Sequence, residues 1–152
     1  PEVLKNVHAR LATVGLSEDR VEILAFMPST EDHLLAFQRI DVALDTFPYN
    51  GTTTTCEAIW MGVPVVSLIG DRHASRVGLS LLTAVGHPEW AAETEEAYVD
   101  TAVSLAHNCD LRARLRNSLR AEMAASILCD HTGQAARFET ALRQTWAEWC
   151  QS

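Results

Sequence analysis

The sequence predicts an α/β fold, a Rossmann-like parallel sheet covered by helices with a helical tail, and three observations predict it. Val21 to Phe26, Asp41 to Leu44 and Val63 to Ile69 are short apolar runs of strand length. Each is followed within a few residues by a segment of helical spacing, the alternation that sets consecutive strands parallel. From Thr94 onward the pattern is helical only.

The chain opens on an amphipathic helix, with Val3, Leu4, Val7, Leu11 and Val14 at helical spacing and Gly15 as its stop. Beginning inside such an element reads as a segment cut from something longer. The run VEILAF is the first strand; Met27 and Pro28 follow, and Ser29 with Asp32 has the spacing of a capping box for a helix from about Thr30 to Phe37. DVAL, Asp41 to Leu44, is the second strand, ending in Asp45 and a loop from Thr46 to Thr54. A helix from Thr55 to Met61 is closed by Gly62, and Val63 to Ile69 is the third strand. A loop through Gly70, Asp71, Arg72 and His73 leads into a helix bearing Val77, Leu81 and Leu82 on one face.

The tail carries three stripes: Tyr98, Ala102 and Leu105; Leu111, Leu115, Leu119 and Met123; and Phe138, Leu142, Trp146 and Trp149. All are expected to face a core, with packing on another domain as the alternative for the tail. The 152 residues fit one domain, 1–152, with a core over 21–105 and a helical tail over 110–150. A chain of that size buries roughly two-thirds of the surface it exposes unfolded.

A net charge of -8 repels phosphate backbones, so nucleic acid is excluded as a partner, and an anionic ligand has to be held locally. Arg112, Arg114, Arg116 and Arg120 read as the solvated side of a helix. Cys56, Cys109, Cys129 and Cys150 form no CxxC pair and are expected to be buried reduced thiols. No apolar run approaches the roughly 20 residues that span a bilayer, so no membrane is expected and a cytoplasmic location is the default.

Chemistry concentrates in Asp45 to Glu57, DTFPYNGTTTTCE, which leaves a strand, turns through Pro48, Asn50 and Gly51, and enters a helix. Gly51 allows a positive φ or a close approach to a ligand. The threonines bring hydroxyls and amides to the first helical turn, where unpaired N–H groups and the helix dipole favour an anion. A diphosphate cradle fits this pattern; so does a purely structural strand-to-helix loop.

The stretch DVALDTFPYNGTTTTCEAIWMGVPVVSLIGDRHASRVGLSLL resembles the hallmark segment of the O-linked N-acetylglucosamine transferase family, in particular its bacterial, tetratricopeptide-repeat-associated members. The similarity runs from about Val21 to Leu105. It implies the carboxy-terminal lobe of a GT-B glycosyltransferase, an inverting enzyme moving N-acetylglucosamine or a hexose from UDP to a protein Ser/Thr hydroxyl. It places Gly51, Thr52, Thr53 and Thr54 at the pyrophosphate, Asn50 with them among the UDP-sugar-binding residues, and Glu57 on the ribose hydroxyls, a role that suits a carboxylate accepting two hydrogen bonds. It sets His33 against the uracil, with the backbone of Met27 and Pro28 near its edge.

The chain departs from animal members of that family in three places. Pro28 to His33 is one residue longer, Thr52 replaces a histidine, and Ala36 replaces an arginine. Arg72, His73 and Arg76 are further candidates for positive charge near the cleft, Arg76 equally for a contact at a helix start. No DxD-like pair stands in a suitable loop, so a metal-independent reaction without a cofactor is expected. The phosphate-binding lysine of the family lies before this segment, and Lys5, the only lysine, is not assigned that role. The acceptor protein would be held by the other lobe or the repeats, so the fragment alone is expected to be inactive. Two alternatives stay open: the lobe of another UDP-sugar enzyme, an epimerase or a glycogen-synthase-like transferase, or a non-catalytic binding module.

Overall fold

A computed structural model describes residues 2–151, which fall into two compact units, the first through His33 and the second from Leu34 onward. The first unit holds α1 (Glu2–Thr13), a 3-10 turn at Glu18–Arg20 and the start of α2 (Thr30–Ala36). Ser29 Oγ accepts the Asp32 N–H at 3.3 Å, the forward half of the expected capping box. The strand expected over Val21 to Phe26 does not form, and Phe26 is 91% exposed. An apolar run becomes a strand only when a neighbour supplies ladder hydrogen bonds, and among the described residues the sheet is built elsewhere.

The second unit contains β1 (Ala43–Leu44), α3 (Thr53–Trp60), β2 (Val65–Leu68), α4 (Val77–Ala84), β3 (Ala91–Ala92), α5 (Glu95–His107), α6 (Cys109–Ala125) and α7 (His131–Trp149). The sheet is parallel throughout in the order β1-β2-β3, with Ala43 opposite Val65 and Ser67 opposite Ala91. Two of the three expected strands are therefore present. The third strand of the sheet, β3, is two alanines long and carries no β-branched or alternating signal from which it could be read. Ile59, Val63, Val66, Leu82, Leu115 and Leu119 form the heart of one core cluster, with Tyr98 and Ala102 partly buried against it. No described helix is long and apolar enough to cross a membrane.

The tail departs from expectation at two points. The α6 stripe is buried as its spacing predicts, but α7 buries nothing, and its stripe runs from 56% exposed at Leu142 to 72% at Trp149. The α6 arginines are not simply solvated either. Arg116 is half-buried and donates to the carbonyls of Phe37, Met61 and Ile40, while Arg120 reaches the Trp60 carbonyl and stacks over its ring. A guanidinium offers five donors in a fixed fork, and α6 spends them on the ends of earlier elements. Gly62, at φ 78, permits the approach, since a Cβ there would lie 2.5 Å from the Arg116 carbonyl oxygen. The cysteines are all free, but only Cys56 and Cys129 are half-buried, and Cys109 and Cys150 are exposed. Burial, then the neighbouring Cys129 and Glu57, pushes the Cys56 thiol up from its ordinary range.

Candidate functional site

β1 delivers Asp45 to its carboxyl end, and the loop that follows crosses over to the start of α3. Asn50 organises the loop: it is 1% exposed, its N–H donates to the Ala74 carbonyl, its Nδ2 to the Thr46 carbonyl, and its Oδ1 accepts the Gly78 N–H. Enclosed in this way, with its N–H given to Ala74, Asn50 holds the turn instead of facing open space, so any part it plays at a phosphate passes through the shape of the loop.

Gly51 does not adopt the positive φ that the sequence allows. It meets the other requirement, close approach, for a Cβ would lie 2.7 and 2.8 Å from the hydroxyls of Thr54 and Thr55. Its N–H donates to Asp45 Oδ1 at 2.7 Å, and its carbonyl accepts the Thr55 hydroxyl. The helix starts at Thr53, two residues before the expected Thr55, which is buried.

Thr52, Thr53 and Thr54 are exposed, no side chain caps the helix, and their amides donate to nothing among the described residues. Three adjoining amides at the positive end of a helix, outside the carboxyl end of a parallel strand, have the donors and the dipole that favour an anion. Glu57 stands one turn further along, half-buried. A pocket of about 130 Å³ runs beside the loop, lined by Asp45, Thr46, Gly51 and Thr54 over an apolar floor of Ala43, Ala58 and Val65. A second, of about 430 Å³, is lined by Phe47, Pro48 and Tyr49 of the same loop with Arg72 and Ser75.

The remaining candidates divide. Arg76 is exposed and donates one of its five guanidinium N–H groups, through Nη1, to the Gly70 carbonyl at 3.0 Å. Arg72 and His73 are exposed. His33, half-buried in α2, and Met27 and Pro28 before it belong to the first unit. Sequence reasoning missed Asp45, which it treated only as the end of a strand. The signal available was an acid placed directly between an apolar strand and an Asn-Gly turn.

The sequence profile of glycosyl transferase family 41 matches residues 2–137. This chain belongs to that family. A relative from Arabidopsis thaliana, the probable UDP-N-acetylglucosamine–peptide N-acetylglucosaminyltransferase SPINDLY, is 44% identical over 92% of the chain. The UDP-N-acetylglucosamine–peptide N-acetylglucosaminyltransferase of Caenorhabditis elegans is 34% identical over 89% of it. The chain spans 15% of the first relative's length and 12% of the second's. A solved structure of an O-GlcNAc transferase mutant from Thermobaculum terrenum matches with a TM-score of 0.90 and 40% identity, covering 99% of this chain and 29% of that one. The fold expected from the sequence, a parallel sheet covered by helices as in a GT-B lobe, is the fold of this family 41 chain.

Proposed function

We propose that this family 41 chain is the UDP-sugar-binding part of an inverting glycosyltransferase that moves N-acetylglucosamine or a hexose from UDP to a protein Ser/Thr hydroxyl. The observation that carries the reading is the row of exposed, undonated amides at Thr52, Thr53 and Thr54. Negative charge grows on the departing diphosphate as the bond to the sugar breaks, and donors fixed beforehand need no reorganisation to meet it. A hydrogen bond to a charged acceptor contributes about 1.5–3 kcal/mol, so three such amides are a substantial anchor. In this reading Glu57 accepts the ribose hydroxyls, and His33 stacks on the uracil with the backbone of Met27 and Pro28 beside it. The names of the relatives support the donor and the protein acceptor.

Amides and the helix dipole meet the phosphate charge here without a metal, so EDTA should leave binding unchanged. Positioning of the acceptor hydroxyl and removal of its proton are assigned to the rest of the parent enzyme, and the 152 residues by themselves should bind donor without transferring it. Calorimetric titration with UDP, with ADP as comparison, tests the reading. The expected result is selective UDP binding that Glu57→Ala and His33→Ala both weaken. Equal affinity for the two nucleotides, or no binding by a folded chain, would count against it.

A further inference from the structure

Asp45 engages a different partner with each of its polar groups. Its N–H donates to the Val66 carbonyl at 2.9 Å, and its carbonyl accepts the Tyr98 hydroxyl at 3.1 Å. Oδ1 accepts the Gly51 N–H and Oδ2 the Ser67 hydroxyl, each at 2.7 Å, the short distances of charge-assisted bonds. The surroundings are cut to fit this carboxylate. Ser67 is 1% exposed, and a Cβ on Gly78 would lie 2.7 Å from Asp45 Oδ2 and 2.0 Å from Ser67 Oγ. The Tyr98 phenol is held above its ordinary range, by burial first and then by the negative charge of Asp45.

Pinning the first amide of the loop-to-helix turn has a directional effect. The Gly51 N–H is the donor immediately before those of Thr52, Thr53 and Thr54, and a glycine peptide is the one that most readily turns. We infer that Asp45 is the positioning residue of the diphosphate site: its carboxylate takes the Gly51 amide out of the anion-binding set and, braced on β2 through Ser67, fixes the peptide from which the next three amides are aimed. The inference rests on the donor-binding reading above. A carboxylate next to an anion site also repels the anion, so position and charge act in opposite directions, and substitution separates them. In Asp45→Asn the side-chain oxygen still accepts from Gly51 and the new amide donates to Ser67 Oγ, keeping the geometry without the charge. Asp45→Ala removes both.

The test is titration of the full chain, followed by NMR, with inorganic pyrophosphate, UDP and uridine. Asp45→Ala is expected to weaken pyrophosphate and UDP about tenfold or more, as befits the loss of an orienting charge-assisted bond, with uridine unchanged. Asp45→Asn should bind both phosphates at least as tightly as the parent chain, and Tyr98→Phe, which removes only the hydroxyl that donates to the Asp45 backbone carbonyl, should leave the ratio between them and uridine unmoved. Should Asp45→Ala fail to fold, Ser67→Ala carries the test, with a smaller loss again confined to the phosphate ligands. Equal loss of uridine and UDP, or Asp45→Asn as weak as Asp45→Ala, would overturn the inference alone. A parent chain that binds neither UDP nor pyrophosphate would remove the donor-binding reading and the inference with it.

Discussion

Helix α6 sets Leu115, Leu119 and Met123 on one face at intervals of four, and α7 sets Phe138, Leu142, Trp146 and Trp149 on one face at intervals of four and three, both helical spacings. The first face is buried and the second is open. Their polar sides differ as well. Arginines of α6 reach carbonyls more than fifty residues away, whereas the ion pairs of α7 are local, Arg137 to Asp130 and Arg143 to Glu139. Periodicity thus identifies a face and says nothing of whether anything covers it. The apolar side chains of α7 are if anything larger than those of α6, so hydrophobicity does not separate the two either.

The contrast is sharpest in stability. Leu119→Ala, at a site with no exposure, should cost about 2–5 kcal/mol, whereas Leu142→Ala should cost less than about 0.5 kcal/mol. Urea denaturation reads both, and similar losses would mean that α7 is as much part of the folded core as α6. Next in size are the caps. Asn108 Oδ1 accepts the Leu111 N–H at the start of α6, and Asn108→Ala should lower global stability by about 1 kcal/mol.

The smallest effect is a pH dependence confined to α7. The Gly133 amide first, and then Arg137, hold the Asp130 carboxyl below its usual range. A depressed folded value means that the contribution is present above the unfolded pKa and disappears as pH falls through the folded one. Acidification below about pH 4 should therefore lower the protection of the Gly133 amide, its exchange rate taken against that of an unstructured chain at the same pH. The uncharged cap of α6 should show no such change at Leu111, and parallel behaviour of the two amides would break the comparison.

What the sequence discloses follows the same division between pattern and partner. β2 is legible because Val65 and Val66 stand in an unbroken apolar run, and α3 because four threonines poor in a helix interior sit at its start. VEILAF has the composition of a strand without the neighbour, and Ala91–Ala92 has the neighbour without the composition. At the site, the exposed threonines are readable as a motif. That Asn50 is enclosed, and that Asp45 reaches Ser67 twenty-two positions later, depends on the register between β1 and β2, which no local spacing encodes.

Arg116 has a consequence for how the chain is made. Its guanidinium binds carbonyls that precede it by 55, 76 and 79 positions, and its neighbours Leu115 and Leu119 complete the core around Ile59 and Val66. On the ribosome, the loop between β1 and α3 and both strand pairings emerge well before the helix that fastens them. Contacts so distant in sequence close late, so a nascent or clipped chain ending at α5 would carry Asp45, Gly51 and the threonine run on a unit whose α3 and α5 still lack the helix that packs against both.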